Sequence, residues 1–495
     1  MSTIDRRGLL RAGLAVPTLS VLAACGSNDT ASPRLITPTD NRVRAVEAAR
    51  RTTGRIRKYT LRAVVETVDL GGPTVQTWTY DGVLPGSEIR VRRGDVVEAA
   101  LVNRLPAKTT IHWHGVALRN DMDGVPDVTQ AAVAKGATFA YRFVAADAGT
   151  YWFHPHSGVQ LDRGLYAPLI VEAPDEPGAY DAEWTVVLDD WIDGTGYTPD
   201  QVFETVRNGM GGMDHGGEDM DGPMLMGATS ELLGGDAGDV RYLYFLVNGR
   251  VAAAPRTLRA KPRQRVRIRF INAGSDTAFR VALGGHMMRV THADGFPLVP
   301  VETDALLVGM GERYDVVVRL GDGVFPLTAL AEGKKATARA LVRTGSGEVP
   351  PVSERPRELD GKVLRYAALR AADDVRLRAK APDINHDLEL TGGMMDYDWA
   401  INGRRYDPKR SLPIREGQRV RVTFRNSTTM WHPMHIHGHT FQIGDDGPRK
   451  DTAIVLPKQT ITCDFDADNP GQWLTHCHNV YHGEAGMMTA LGYRD

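Results

Sequence analysis

The chain has 495 residues, with 59 basic against 61 acidic side chains and 42% hydrophobic residues. This length allows about two to four domains with substantial cores, and it excludes disorder as the dominant state. The near-neutral charge gives no electrostatic footprint for nucleic-acid binding, and no stretch approaches the roughly 20 apolar residues that a membrane span requires. Three cysteines cannot form a disulfide framework in a chain of this length, so packing has to stabilise the fold.

The N-terminal segment has the pattern of an export signal. Arg6-Arg7 precede an apolar run, Leu14 to Ala24, that is too short to cross a bilayer. The paired arginines resemble a twin-arginine signal, and Leu22-Ala23-Ala24-Cys25 resembles a bacterial lipobox, whose cysteine is acylated after cleavage. The alternative is an ordinary cleaved signal with an incidental cysteine. We predict an exported envelope protein, lipid-anchored outside the cytoplasmic membrane through Cys25, with residues 26–44 as a flexible tether.

From residue 55 onward, short runs of alternating hydrophobic and polar residues are separated by Gly, Pro, Asn and Asp, which is typical of all-β sandwiches or barrels. One pattern, a turn pair followed by a strand and a closing asparagine, occurs three times. It spans Asp81-Gly82 to Asn103, Asn248-Gly249 to Asn272, and Asn402-Gly403 to Asn426, with Gly-to-Asn spacings of 21, 23 and 23 residues. Such regular spacing predicts three homologous β-sandwich domains rather than generic strand patterning. We place them at residues 55–173, 183–345 and 360–495, with Pro-rich linkers between them.

Ten of the 15 histidines fall into four short clusters in the first and third repeats. In a strand, residues two apart project from the same face, so each His-X-His pair can present two imidazoles to one site. One pair is weak evidence, but four pairs predict a polynuclear metal site where the first and third repeats meet. The clusters are His112-Trp113-His114, His154-Pro155-His156, His432-Pro433-Met434-His435-Ile436-His437, and His476-Cys477-His478 with His482.

The last cluster predicts a second metal site. Side chains alternate between the two faces of a strand, so His476 and His478 point to one side and Cys477 points to the other. The histidine site and a site at Cys477 would therefore lie on the order of 10 Å apart. A ligand set of two histidines and one cysteine with a distant thioether is diagnostic of a blue-copper centre. Such a set is offered here by His432, His482 and Cys477, with Met487 as the thioether. A buried core cysteine with packing methionines would not explain their spacing from two histidines. Cys463, in contrast, is predicted to be a buried strand residue without redox function.

These residues resemble the four copper-binding motifs of the multicopper oxidase family, which includes laccases, ferroxidases and the cuprous oxidases of bacterial copper tolerance. The resemblance covers about residues 55–495 and implies three consecutive cupredoxin-like Greek-key β-sandwich domains that hold four copper ions. It implies an oxidase that takes four single electrons from a donor at a type 1 copper and reduces dioxygen to water at a trinuclear cluster. By this resemblance the type 1 copper takes His432, Cys477, His482 and Met487, the type 2 copper takes His112 and His435, and the type 3 pair takes His114, His154, His156, His437, His476 and His478.

Dioxygen reduction consumes protons, so acid groups are expected near the trinuclear cluster. Asp123 matches the family acid that follows the first His-X-His motif, although an aspartate before glycine is also a common turn residue. Glu484 is a second candidate. In some cuprous oxidases the residue after the second type 1 histidine is an acid, whereas here it is Gly483, which leaves the proton route open.

Residues 208–227 are rich in methionine, glycine and acidic residues and lack apolar periodicity. Thioethers favour Cu(I), so the segment predicts Cu(I) as the donor, in a role in copper tolerance; the alternative is a Gly-rich surface loop. Oxidation of phenols, as in laccases, or of Fe(II) is the alternative activity. A non-enzymatic copper-storage protein of the envelope is the alternative class, but it would not need the complete set of ten clustered histidines. The candidate Cu(I) ligands of the segment are Met210, Met213, His215, Met220, Met224 and Met226.

Overall fold

This computed structural model describes residues 33–173, 180–208 and 222–495, most of which lie in β-strands and the loops that join them. The predicted signal and lipobox lie outside these residues, as do four candidate Cu(I) ligands, Met210, Met213, His215 and Met220. No helix among the described residues is long and apolar enough to cross a membrane.

The chain from residue 35 to 44 differs from the predicted flexible tether. Ile36 is fully buried, and a helix, α1, covers Asn41–Ala49 with Asp40 as its N-cap. Val43 packs with Ile36 in the main hydrophobic core. The tether prediction was therefore wrong for residues 35–44, because a polar average composition concealed apolar side chains that the core buries.

The first domain is a sandwich of two four-stranded sheets. Its strands are β1 (Ile56–Asp69), β2 (Thr74–Tyr80), β3 (Ile89–Arg92), β4 (Val96–Asn103), β5 (His112–His114), β6 (Thr138–Val144), β7 (Gly149–His154) and β8 (Ala167–Glu172). The sheets have the orders β2-β1-β4-β6 and β3-β8-β7-β5. In each sheet one pair is parallel, β1 with β4 and β3 with β8, and the other pairs are antiparallel. Side chains of both sheets share one hydrophobic core.

The second domain repeats this architecture with larger sheets. Its strands are β9 (Ala182–Trp191), β10 (Thr229–Ser230), β11 (Gly235–Asp236), β12 (Tyr244–Val247), β13 (Arg250–Val251), β14 (Thr257–Arg259), β15 (Arg265–Asn272), β16 (Phe279–Leu283), β17 (Met288–Ala293), β18 (Phe296–Thr303), β19 (Leu306–Val308), β20 (Arg313–Arg319), β21 (Val324–Ala331) and β22 (Ala336–Arg343), and its helix α2 is Pro199–Arg207. The main sheets have the orders β13-β12-β9-β15-β20-β17-β18 and β14-β22-β21-β16-β19. The parallel pairs are β9 with β15 and β14 with β22.

The third domain has the same arrangement. Its strands are β23 (Ile384–Thr391), β24 (Ala400–Ile401), β25 (Leu412–Ile414), β26 (Arg419–Asn426), β27 (His432–Ile436), β28 (Phe441–Ile443), β29 (Arg449–Lys450), β30 (Thr452–Val455), β31 (Thr460–Asp466), β32 (Gln472–Cys477) and β33 (Met488–Tyr493), and its helix α3 is Val480–Ala485. The sheets have the orders β24-β23-β26-β31-β28-β29 and β25-β33-β32-β27-β30, with β23 parallel to β26 and β25 parallel to β33. The predicted all-β fold of cupredoxin-like sandwiches is confirmed.

The closing asparagines of the three sequence repeats, Asn103, Asn272 and Asn426, are buried and make equivalent hydrogen bonds. Each Oδ1 accepts a hydrogen bond from the backbone N–H two residues on. Each Nδ2 donates to two backbone carbonyls that lie C-terminal to the asparagine. One carbonyl is four or five residues further along the chain, and the other is 29 to 36 residues further along. The preceding turn pairs all have positive φ at both residues, which Asn, Asp and Gly tolerate best. The sequence repeat is therefore also a repeat of local structure.

Replacing Asn272 with alanine is expected to lower the free energy of unfolding by about 3 kcal/mol, because three buried backbone groups lose their partner. Denaturant unfolding of the metal-free protein would measure the change. Asn385→Ala, at an exposed position of β23, is the control and is expected to change stability by less than about 0.5 kcal/mol. Equal stability of the two variants would contradict the role given to Asn272.

Candidate metal centres

Two pairs of neighbouring antiparallel strands present the histidines. In the first domain β5 pairs with β7, which places His112 opposite His154. In the third domain β27 pairs with β32, which places His435 opposite His476. Since each strand carries histidines two residues apart or continues into one just beyond its end, imidazoles from both domains converge.

Eight histidines form one cluster between the first and third domains. Their ligand atoms lie within 4.8 Å of one another in three groups, which are His112/His114/His435, His114/His154/His478 and His156/His437/His476. The closest nitrogens are the Nε2 atoms of His437 and His476, which lie 3.1 Å apart, and Nε2 of His156 lies 3.4 Å from that of His476. Every group takes imidazoles from both domains, so the cluster exists only where these domains meet.

The chemistry of this cluster fits metal ions that prefer imidazole, such as copper. Ring nitrogens of His112, His114, His154, His435 and His478 are buried without a hydrogen-bond partner among the described residues, which is costly unless another group satisfies them. Burial, together with neighbouring imidazoles, lowers the pKa of His114, His154 and His478 well below the ordinary value. These side chains are therefore neutral, which is the form that binds a metal ion.

A second group contains Cys477, His432 and His482, all buried. The Sγ atom of Cys477 lies 3.6 Å from Nδ1 of His432 and 3.8 Å from Nδ1 of His482. Met487 is also buried, and its backbone carbonyl accepts a hydrogen bond from the N–H of Cys477. The flanking His476 belongs to the eight-histidine cluster, so a single strand end joins the two groups.

Asp123 contacts histidines of both domains. Its Oδ2 atom accepts a hydrogen bond of 2.8 Å from Nδ1 of His437, and its backbone carbonyl accepts one of 3.0 Å from Nδ1 of His112. These bonds fix the ring orientations and leave Nε2 of each ring for a metal ion. The next residue, Gly124, has φ of +82°, and a Cβ there would lie 1.8 Å from the carbonyl oxygen of Ile111. The loop that carries Asp123 therefore requires glycine at this position.

Glu484, on α3, lies between two cavities. With His156 and His476 it lines a small cavity of about 20 Å³. With Arg405 and Tyr406 it lines a surface groove of about 320 Å³. Burial raises the pKa of Glu484 to about 7. Glu484 and Met488 are the two residues that line both cavities, and of these only Glu484 is ionisable.

Sequence reasoning missed two buried aspartates that orient the histidines. Oδ2 of Asp239 lies 2.9 Å from Nε2 of His482, and although burial lowers the pKa of His482, this carboxylate raises it to about 10. Oδ1 of Asp451 lies 3.1 Å from Nε2 of His114, and its backbone carbonyl accepts a hydrogen bond from Nδ1 of His435. Asp239 is 243 residues from His482 in the sequence, and Asp451 is 337 residues from His114. No local motif therefore identifies either aspartate as a partner of a histidine.

Two of the predicted Cu(I) ligands, Met224 and Met226, are described, and their segment runs beside Asp239. Met224 forms a β-bridge with Val240, and the backbone N–H between the two methionines donates to the carbonyl of Asp239 at 2.8 Å. Met226 is 56% exposed. The exposed thioether of Met226 is therefore one residue from Leu225, whose backbone is hydrogen-bonded to the residue that binds His482.

Each domain matches a multicopper oxidase family model, over residues 63–176, 183–346 and 380–495. The chain therefore belongs to the multicopper oxidase family and is a copper-dependent oxidoreductase. It is 49% identical to the multicopper oxidase MmcO of Mycobacterium tuberculosis, over 99% of this chain and 96% of that one. It is 28% identical to a copper resistance protein A homolog of Pseudomonas syringae, over 85% of this chain and 90% of that one. A laccase structure from Botrytis aclada, 25% identical, superposes with a TM-score of 0.74 over 91% of this chain and 89% of that one. The predicted family and enzyme class are confirmed.

Proposed function

We propose that the eight-histidine cluster holds three copper ions and that the cysteine group holds a fourth. The unpartnered ring nitrogens and the short distances between ligand atoms support this assignment. Bound copper would supply one-electron transfer at the cysteine group and dioxygen reduction at the histidine cluster. The type 1 ligands are His432, Cys477, His482 and Met487, the type 2 ligands are His112 and His435, and the type 3 ligands are His114, His154, His156, His437, His476 and His478.

Carboxylate side chains of this protein orient the copper ligands and hold or transfer protons. Asp123 and Asp451 hold imidazole rings of both domains through hydrogen bonds to ring nitrogens, which fixes the nitrogen that remains for copper. The other carboxylate oxygen of Asp123, Oδ1, is buried and has no hydrogen-bond partner among the described residues, so it is the atom placed to hold a proton at the cluster. Glu484 lines both the cavity beside His156 and His476 and the groove beside Arg405, a position from which its carboxyl group would pass protons to the cluster.

We infer that Cu(I) is the physiological donor. The observation that carries this inference is the methionine segment beside Asp239, because thioethers bind Cu(I) and Asp239 binds His482 directly. A second exposed thioether, Met395, lies two residues before Tyr397, whose hydroxyl donates to Asp239 at 2.7 Å. The name of the Pseudomonas syringae relative, a copper resistance protein A homolog, is consistent with this donor. Export and lipid anchoring through Cys25 stay a prediction.

The double variant Met226→Leu/Met395→Leu is expected to raise KM for Cu(I) about tenfold, which corresponds to about 1.4 kcal/mol of lost binding, because leucine keeps the volume but removes the soft sulfur. Oxidation of a phenol by the same variant should be unchanged. The measurement is oxygen uptake with Cu(I), Fe(II) and a phenol compared side by side.

Met287→Leu is the matched control. Met287 is also exposed, at 54%, but it directly precedes β17 and is remote in the chain from the methionine segment and from Met395. It should leave all three activities at the wild-type level. Unchanged Cu(I) kinetics in the double variant would contradict Cu(I) as the donor bound by these thioethers. A loss confined to Fe(II) or to the phenol would instead favour a ferroxidase or a laccase.

A further inference from the structure

A groove of about 560 Å³ lies where the three domains meet, and none of the candidate copper ligands lines it. Its walls come from Arg93 and Ala148 of the first domain, from β15, β17, β18 and β20 of the second domain, and from Val375 near the start of the third. This volume is within the range of about 300–1,000 Å³ that is typical of small-molecule sites.

The strand register concentrates positive charge on one wall of the groove. Val317 of β20 lies opposite Arg267 on one side and Arg289 on the other, so the three side chains share a face of the sheet. Arg265 lies two residues before Arg267 in β15 and therefore points to the same face. Arg267 is neutralised by Asp315, at 2.6 Å.

Arg265 and Arg289 are exposed and line the groove, and within the described residues their guanidinium groups make no ion pair or hydrogen bond. Asp147 and Asp374 also line the groove. Burial raises the pKa of Asp147, although the positive charges of Arg50, Arg449 and Arg93 act against this shift. Glu302 of β18 lies opposite Arg289, and the Asp181 carboxylate accepts a hydrogen bond from the backbone N–H of Arg265 at 2.7 Å. Neither carboxylate forms an ion pair with these guanidinium groups among the described residues, so the N–H donors of both groups remain for a ligand.

The rest of the groove is largely apolar. Phe296, Leu298 and Val317 are among its lining residues, and Leu298 is buried while Phe296 keeps a partly exposed ring. Apolar walls with a few convergent polar groups are typical of sites that bind organic molecules. Guanidinium groups match the geometry of carboxylates and sulfonates through paired N–H donors.

We propose that this groove binds a small organic anion. Arg265 and Arg289 hold its carboxylate or sulfonate group, and an aromatic or other apolar body packs against Phe296 and Val317. The site is separate from the candidate copper ligands, so its ligand is not the electron donor. A compound with both features but without an oxidisable group is the appropriate probe.

Calorimetric titration of the copper-loaded protein with naphthalene-1-sulfonate tests the proposal. We expect saturable binding at one site per chain, and at least about tenfold weaker binding of the neutral naphthalene-1-sulfonamide. The double variant Arg265→Gln/Arg289→Gln should also weaken sulfonate binding by at least about tenfold. Phe296→Ala should weaken it while both guanidinium groups remain.

Arg259→Gln is the control, because Arg259 is an exposed arginine of β14 that does not line the groove. It should leave sulfonate binding unchanged, and the double variant should keep the visible spectrum and the oxidase activity of the wild type. Absence of saturable sulfonate binding to the wild-type protein would overturn the proposal. So would equal affinities of the wild type and the double variant, or equal binding of the sulfonamide.

Discussion

Replacing Arg313 with alanine is expected to lower the free energy of unfolding by about 3–5 kcal/mol, because it leaves buried carboxylates without their partner. The Arg313 side chain is fully buried in β20. Its two terminal nitrogens each donate to a different carboxylate oxygen of Asp451, both at 2.7 Å. Its Nε atom donates to the backbone carbonyl of Thr150 at 3.0 Å. One guanidinium group of the second domain therefore joins the first domain to the third.

The control for this experiment is on the same strand. Arg319, the last residue of β20, is exposed, and Arg319→Ala is expected to change stability by less than about 0.5 kcal/mol. Denaturant unfolding of the metal-free proteins would compare them without any contribution from copper binding. If the two variants were equally stable, the buried ion pair would not hold the domains together.

This ion pair gives the second domain a role at the histidine cluster, although it contributes none of the candidate ligands. Arg313 orients the carboxylate of Asp451, and Asp451 in turn contacts His114. Lys450, the residue before Asp451, is also fully buried and lies 3.0 Å from carboxylate oxygens of Asp294 and Glu312 in the second domain. Asp451, which lies between β29 and β30, is thus held in a segment that buried charges of the second domain fix in place.

The parts of the fold and site that the sequence predicts are those encoded by short spacings. His112 and His114 share a face because residues two apart in a strand always do, and the spacing needs no tertiary information. The turn pair before Asn272 marks a domain repeat because positive φ restricts those positions to a few residue types. Local rules of this kind suffice for strands, for the domain repeat and for the histidine pairs.

The remaining features depend on contacts between distant segments. Asp239 and Asp451 resemble any other aspartate in the sequence, and only the fold brings them to His482 and His114. The helix α1 is only nine residues long, too short to be stable alone, and it forms because tertiary packing buries Val43. Buried charge networks of this type have no periodicity, so a single sequence does not reveal them.

Replacing Cys477 with serine is expected to abolish the intense visible absorption of the copper-loaded protein and its oxidation of every donor, and to lower its copper content by one ion per chain. The physical reason is that a hydroxyl group is a poor substitute for a soft thiolate in a two-His, one-Cys site. Cys477 lies within 3.8 Å of ring nitrogens of both His432 and His482, so no other sulfur of the described cysteines could replace it. Absorption spectroscopy, metal analysis and oxygen uptake on the same samples measure the three effects.

Cys463→Ala is the matched control, because Cys463 is equally buried but lies in β31, outside every group of candidate metal ligands among the described residues. This variant should keep both the colour and the copper content of the wild type. A visible band that persisted in Cys477→Ser, or disappeared in Cys463→Ala, would contradict the assignment of Cys477. Retention of the other copper ions in Cys477→Ser would further separate the two centres, since the eight-histidine cluster takes His476 and His478 from the same strand end but no sulfur. The cysteine would then be required for electrons to enter the enzyme and not for the histidine cluster to bind copper.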